Sequence, residues 1–172
     1  MSTHQPLHAA LIGAGPLGIN IYRHALKRPD IIISQVVDID PSLKGKDMGE
    51  HAGLDATGVY ISDSLEQGKR ADIAILATVS DLPRIGPQLL ALIDAGLSVV
   101  STCEELFYPW HSSDEWSKTI DLAAKDKGVA VLGTGVNPGF LMDSLPAMLT
   151  GICSQVEKIE VRRYQDAQFR RI

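Results

Sequence analysis

The segment Gly13-Ala14-Gly15-Pro16-Leu17-Gly18 constrains this chain more than any other. It follows the apolar run His8-Ala9-Ala10-Leu11-Ile12, which reads as a buried strand, and it opens a stretch of helical periodicity from Leu17 to Lys27. A second apolar run, Ile31 to Val37, ends in Asp38, 20 residues after Gly18. Strand, glycine turn, helix, strand and acid together make the dinucleotide-binding fingerprint of a Rossmann-type fold. Gly13 permits a sharp turn out of the strand, Gly15 removes a side chain from the path of a pyrophosphate, and Gly18 lets the helix pack closely. Pro16 suits the first helical turn, where an N–H has no intrahelical acceptor. The amides of that turn and the positive end of the helix dipole then face the phosphates. Gly13, Ala14, Gly15, Pro16, Leu17 and Gly18 are therefore the expected cofactor-binding turn. Asp38 is expected to accept hydrogen bonds from a ribose diol, and its charge favours NAD over NADP by repelling a 2′-phosphate. Lys44 and Lys46 lie just beyond it and offset part of that repulsion. The bland alternative is a tight strand-to-helix turn that holds no ligand.

The rest of the chain continues the alternation of strand and helix, which predicts an α/β fold with a doubly wound parallel sheet covered on both faces. Further strands are expected at Val59–Ile61, Asp72–Ala77, Leu97–Ser101 and Val129–Leu132. Three glycines between Lys44 and Leu54 leave room only for a short or broken helix, and Ser62-Asp63-Ser64 reads as the cap of another short one. Helices are expected from about Pro87 to Ala95, from a Ser112/Glu115 capping box to Lys127, and over Met142–Leu149, where Pro146 restricts the helix or delays its start. Val156–Tyr164 alternates apolar and polar residues, as a strand with one wet face does. The expected organisation is a nucleotide-binding domain over residues 1–150, and over 151–172 the beginning of a second, α+β domain that the chain does not complete.

A net charge of −5 and a pI near 5.5 give no electrostatic reason to expect nucleic acid or anionic membrane as a partner. Two cysteines, Cys103 and Cys153, support neither a disulfide framework nor a metal site. The start of the chain has no signal-peptide pattern and no apolar stretch approaches a membrane span, so a cytoplasmic location is expected.

In an open parallel sheet the ligand crevice lies beyond the carboxyl ends of the strands. That topology gathers loops 13–18, 78–82, 102–109 and 133–140. Thr78 and Ser80 are candidates for ribose or phosphate contact, with local turn bonding as the alternative for Ser80. Cys103 is open to two readings, a nucleophile toward an aldehyde or acyl carbon and a small buried thiol. Glu104 and Glu105 are candidates to receive a substrate ammonium, or they cap the next segment. Tyr108, Trp110 and His111 read as a packing loop, with His111 as a remote general-base candidate. In Gly133-Thr134-Gly135-Val136-Asn137-Pro138-Gly139-Phe140, Gly135 permits close backbone approach and Asn137 offers an amide that matches a carboxamide. A purely structural connector is the alternative there.

Taken with Val-Val-Asp-Ile-Asp-Pro at 36–41, Ala-Thr at 77–78, Ser-Thr-Cys-Glu-Glu-Leu at 101–106 and the 133–140 loop, the glycine turn resembles the dihydrodipicolinate reductase-like dehydrogenases. The last two motifs resemble the 2,4-diaminopentanoate dehydrogenase branch more than the lysine-pathway reductases. The resemblance implies NAD(P)-dependent oxidative deamination of a diamino acid, or reduction of a cyclic imine, with a small amino-acid substrate. It implies a second domain that supplies the substrate and builds a homo-oligomer. It would set Gly13, Gly15 and Gly18 on pyrophosphate, Asp38 on the adenosine ribose, and Thr78, Thr102 and Asn137 near the nicotinamide. The histidine- and lysine-rich signature of the lysine-pathway enzymes is absent from the sequence, so the resemblance assigns no catalytic acid or base. Two other functions stay open: an acylating aldehyde dehydrogenase that uses Cys103, and a nucleotide-binding regulatory module without chemistry.

Overall fold

The computed structural model describes residues 5–164 and 166. Six parallel strands form one sheet in the order β3-β2-β1-β4-β5-β6: β1 Leu7–Ile12, β2 Ile31–Val37, β3 Ile61–Ser62, β4 Ile73–Leu76, β5 Ser98–Ser101 and β6 Val131–Gly133. This is the Rossmann strand order, and its direction reverses between β1 and β4, where a ligand crevice is expected. Along β4, Ala74 and Leu76 join one apolar cluster while Ile73 and Ile75 pack against the other. A strand whose alternate residues enter two cores is covered on both faces, as the doubly wound arrangement requires.

Helix α1, Pro16–Ala25, begins directly at the glycine turn with its proline in the first turn. Between β2 and β3 the chain makes a single helical turn, α2 Met48–His51. No helix follows Ser62: β3 ends there, and the Ser62 hydroxyl donates to the Ser64 carbonyl at 2.7 Å, bonding a turn rather than a helix end.

Helix α3 spans Leu82–Asp94 and so starts five residues before the expected Pro87. Asp81 caps it by accepting from the Arg84 N–H at 3.1 Å, and Pro83 takes the first-turn place that Pro87 was expected to fill. Its buried Leu82, Ile85, Leu89, Leu92 and Ile93 recur at helical spacing. At Gly86 an added Cβ would lie 2.4 Å from the Trp116 ring, so the glycine lets α3 meet the next long helix. That helix, α5 Asp114–Lys127, follows the short α4 Pro109–Ser112 and ends at Gly128 with φ +66°. Its N-cap is Ser113 rather than Ser112, and Ser113 makes no side-chain cap bond. Instead its carbonyl accepts from both the N–H and the hydroxyl of Ser117.

The chain divides into two compact units, residues 1–134 and 135–172. In the second, a wide irregular helical segment covers Val136–Ser144, with non-helical backbone at Asn137, Pro138 and Gly139. Helix α6, Leu145–Thr150, follows, and Pro146 sits in its first turn, so the start is later than Met142. The strand expected over Val156–Tyr164 is not formed: none of these residues pairs in a ladder, and Val156 and Ile159 are about half exposed. Alternation supplies an apolar face, but a strand also needs a neighbouring edge, and the described residues of this unit offer none. Among the described residues, no helix is long and apolar enough to cross a membrane.

Candidate nucleotide-binding site

The three glycines of the first turn have separate physical roles. Gly13 has φ +104°, and a Cβ there would fall 2.6 Å from the Ala77 carbonyl oxygen, so the turn lies hard against the end of β4. At Gly18 a Cβ would sit 1.9 Å from the Gly13 carbonyl oxygen; the helix packs on the turn itself. Around Gly15 nothing lies within 4 Å of the Cβ position. Two glycines thus close the turn and the middle one keeps its face open. The first amides of α1 have no intrahelical acceptor and lie at the positive end of its dipole.

Asp38 follows β2 and is half-buried against this turn. Its Oδ2 accepts the Ala14 N–H at 2.7 Å and its Oδ1 accepts the Asp40 N–H at 2.9 Å. The Ala14 amide, expected among the phosphate donors, is therefore engaged within the protein. An ionised carboxylate has about four acceptor positions, which leaves Asp38 roughly two for a ribose diol. Lys44, the expected offset to its charge, forms an exposed ion pair with Asp63 instead.

Sequence reasoning missed the segment that frames this corner. Asp47 is buried at 5% exposure and gathers the N–H groups of Gly49, Glu50, Thr57 and Gly58 within 3.2 Å. Burial pushes its carboxyl upward, but those backbone donors together outweigh burial and hold it below the ordinary carboxylate range. Thr57 Oγ1 lies 2.7 Å from the Tyr22 hydroxyl, and Arg23 Nε donates to the Ala52 carbonyl at 2.8 Å, so α1 carries the whole loop. From α2, His51 Nε2 reaches the Ala14 carbonyl oxygen at 2.9 Å. The available signal was Asp47 with Glu50 three residues later, a cap pattern that the three glycines obscured.

The chain leaves β4, β5 and β6 at the same end of the sheet. The Thr102 N–H donates to the Leu76 carbonyl at 3.2 Å and the Thr134 N–H to the Ser101 carbonyl at 2.9 Å. Thr78 is exposed and its hydroxyl donates to Gln88 Oε1 at 2.9 Å. Ser80 is exposed, and its carbonyl accepts the Glu105 N–H at 3.3 Å. Glu105, a substrate-ammonium candidate, has Oε2 on the Leu82 N–H at 2.7 Å, so it helps to cap α3, the segment before it in the chain. Glu104 is exposed beside it. Cys103 is 2% exposed in the core with Leu82, Ile85 and Leu106, and burial pushes its thiol upward. A thiol without solvent access and disfavoured as thiolate does not fit the nucleophile reading. His111, Tyr108 and Trp110 are exposed on a short turn.

Gly135 and Asn137 belong to the second unit. Gly135 has extended backbone at φ 169°, and a Cβ there would approach only the Pro138 carbonyl oxygen, at 3.3 Å. Asn137 Oδ1 is buried without a hydrogen-bond partner. Two concavities lie elsewhere: a groove of about 420 Å³ beside β6, lined in part by Leu106, Trp110, Ile120 and Val131, and one of about 860 Å³ within the second unit. Neither is lined by a residue of the glycine turn. Among the described residues no group of three or more His, Cys, Asp or Glu is placed to hold a metal ion.

No family model matches the chain. Among solved structures, an amine dehydrogenase from Mycobacterium smegmatis matches with a TM-score of 0.80 and 30% identity, over 89% of this chain and 46% of that one. The WlbA dehydrogenase from Bordetella pertussis, solved in complex with NADH and UDP-GlcNAcA, matches with a TM-score of 0.56 and 25% identity, over 77% of this chain and 36% of that one. Strand order and glycine turn define a Rossmann-type fold, and 89% of the chain is similar to less than half of that amine dehydrogenase. The chain's particular likeness is to 2,4-diaminopentanoate dehydrogenase of Acetoanaerobium sticklandii, with 33% identity over 158 residues, 89% of this chain and 44% of that protein. The chain thus spans less than half the length of either of these two nearer relatives.

Proposed function

We propose that the chain binds a nicotinamide dinucleotide beyond the carboxyl ends of β1, β4 and β5, and serves an oxidoreductase acting on a CH–NH2 or imine group. The observation that carries this reading is the glycine turn, closed at Gly13 and Gly18, open at Gly15, and joined by its own amide to Asp38. Gly15, Leu17 and Gly18 present backbone donors to a pyrophosphate, and the two unused acceptor positions of Asp38 receive the adenosine ribose. The carboxylate disfavours a 2′-phosphate, and the Lys44 charge is shared with Asp63, so NAD is the preferred coenzyme. Thr78, Ser80 and Thr102 border the crevice where the nicotinamide end extends. When bound, that ring supplies the hydride acceptor or donor; the protein's part is to hold and orient it. A diamino acid such as 2,4-diaminopentanoate is the proposed substrate class on the strength of the likeness to that dehydrogenase, and a homo-oligomer is the assembly that the family resemblance implies.

Calorimetric titration with NAD and NADP tests the coenzyme reading. NAD binds about tenfold or more tightly than NADP, and Asp38→Ala removes most of that preference. Uptake of neither coenzyme by the folded chain overturns the proposal. The amine chemistry is tested separately, by supplying 2,4-diaminopentanoate with NAD to the full-length gene product and following reduced nicotinamide. Coenzyme binding without turnover would remove the substrate assignment and leave the nucleotide site standing.

A further inference from the structure

We propose that His51 is a positioning residue for the pyrophosphate turn, acting by fixing the orientation of the Ala14–Gly15 peptide; this rests on the nucleotide-binding reading above. Ala14 is held at both ends of its own backbone. Its N–H donates to Asp38 Oδ2 at 2.7 Å, and its carbonyl oxygen receives His51 Nε2 at 2.9 Å. A carbonyl only accepts, so Nε2 carries a proton in this contact. A peptide unit is planar and trans, which sets the Ala14 carbonyl and the Gly15 N–H on opposite sides of one rigid plane. Fixing the oxygen toward His51 therefore fixes the Gly15 N–H away from it.

That constraint matters because the turn has little else to set this plane. Gly15 has no side chain, its Cβ position meets nothing within 4 Å, and glycine rotates more freely than any other residue. An open, flexible glycine is suited to admit a diphosphate and poorly suited to pre-aim an amide at it. His51 supplies the missing order from outside the turn, and it is itself well anchored. Its own N–H donates to the Asp47 carbonyl at 3.0 Å, and the Asp47 carboxylate accepts the next two free amides of α2, Gly49 and Glu50. Arg23 Nε secures the residue after it by donating to the Ala52 carbonyl at 2.8 Å. The anchoring arginine lies on α1, the helix whose first turn frames the phosphate site. The turn and its support are thus tied to one helix at two points along its length.

The test is calorimetric binding of NAD, ADP and adenosine to the 172-residue chain and to His51→Ala and His51→Gln, with melting temperatures alongside. In His51→Ala, NAD and ADP weaken by roughly three- to tenfold, the worth of one net hydrogen bond, while adenosine affinity stays within twofold. His51→Gln, whose side-chain amide has similar reach, restores NAD binding to within about twofold. Unchanged NAD affinity in His51→Ala, or equal weakening of ADP and adenosine, overturns the inference. If the wild-type chain binds none of the three, the nucleotide reading itself fails, which separates the two outcomes. Should His51→Ala not fold, His51→Gln is compared with His51→Asn, whose amide falls short of the carbonyl; equal NAD affinity in that pair also overturns it.

Discussion

The two halves of the sheet are held together by different means. On the β4–β6 side, Leu82, Ile85, Leu89, Ile93, Val99, Leu106 and Ile120 form one apolar cluster, and α3 meets α5 through Gly86 and the Trp116 ring. On the β1–β3 side the buried cluster is smaller, and the connection from β2 to β3 is fastened by Asp47, Thr57, Tyr22, Arg23 and His51. The difference follows from what each half must order. A helix laid on a sheet buries its apolar stripe and needs little more. A connection of some 20 residues with a four-residue helix has no such stripe, so hydrogen bonds must offset the entropy of ordering it. The polar half also carries the turn and the acid proposed to hold the nucleotide. Its anchors double as the frame of the site.

The largest test of this contrast is Leu89→Ala in the apolar half. Leu89 is fully buried at the centre of the α3 stripe, and its truncation leaves a cavity among rigid neighbours. A loss of about 2–5 kcal/mol in unfolding free energy is expected by urea denaturation. NAD affinity of the folded fraction stays unchanged, because no anchor of the glycine turn lies in that cluster. A loss below about 1 kcal/mol, or weakened NAD binding at full folding, would break the division of labour.

Asp47→Ala is the matching test in the polar half, and its effect is smaller in stability and larger at the site. The four backbone donors lose their shared acceptor, so the melting temperature falls by about 5–10 °C. The acid limb gives a second signature with a defined sign. The Asp47 carboxyl is held below its ordinary range in the fold, so its contribution is complete above that range and is lost as pH falls through the lowered value. As pH falls below the ordinary carboxylate range the wild type therefore loses more stability than Asp47→Ala. Parallel pH profiles for the two proteins would show that the buried carboxylate does not hold the loop.

The same contrast explains how much was legible in the sequence. Strands β1, β2, β4, β5 and β6 declare themselves as apolar runs, and the glycine turn with Asp38 lies where the fingerprint put it. Helix α3 was misread at its start because two prolines, Pro83 and Pro87, compete for the first-turn position and only the Asp81 cap decides between them. The Asp47 network escaped for a different reason. Its donors are backbone amides of residues up to 11 positions away, and hydropathy carries no trace of them. Glu105 shows the limit for sites: its place in the sequence made it a substrate-ammonium candidate, yet it is committed to the Leu82 amide. Val156–Tyr164 shows it for folds, since its alternation is real and its sheet partner is not among the described residues.

The smallest effect is also the most discriminating. Tyr22 is fully buried in α1, yet its hydroxyl lies 2.7 Å from Thr57 Oγ1, which sits 3.3 Å from Asp47 Oδ1. Tyr22→Phe keeps the ring and its packing and removes only that contact, at a cost of about 1 kcal/mol. If the polar half is one connected unit, the cost depends on Asp47, because Asp47 holds the Thr57 amide and hydroxyl toward the tyrosine. In an Asp47→Ala background Tyr22→Phe should therefore cost roughly half as much or less, measured by urea denaturation of all four proteins in the cycle. A cost that is the same in both backgrounds would mean that the anchors act independently. The β2–β3 connection would then be a set of separate tethers, and the route from α1 through Asp47 to His51 and the glycine turn would lose its physical basis.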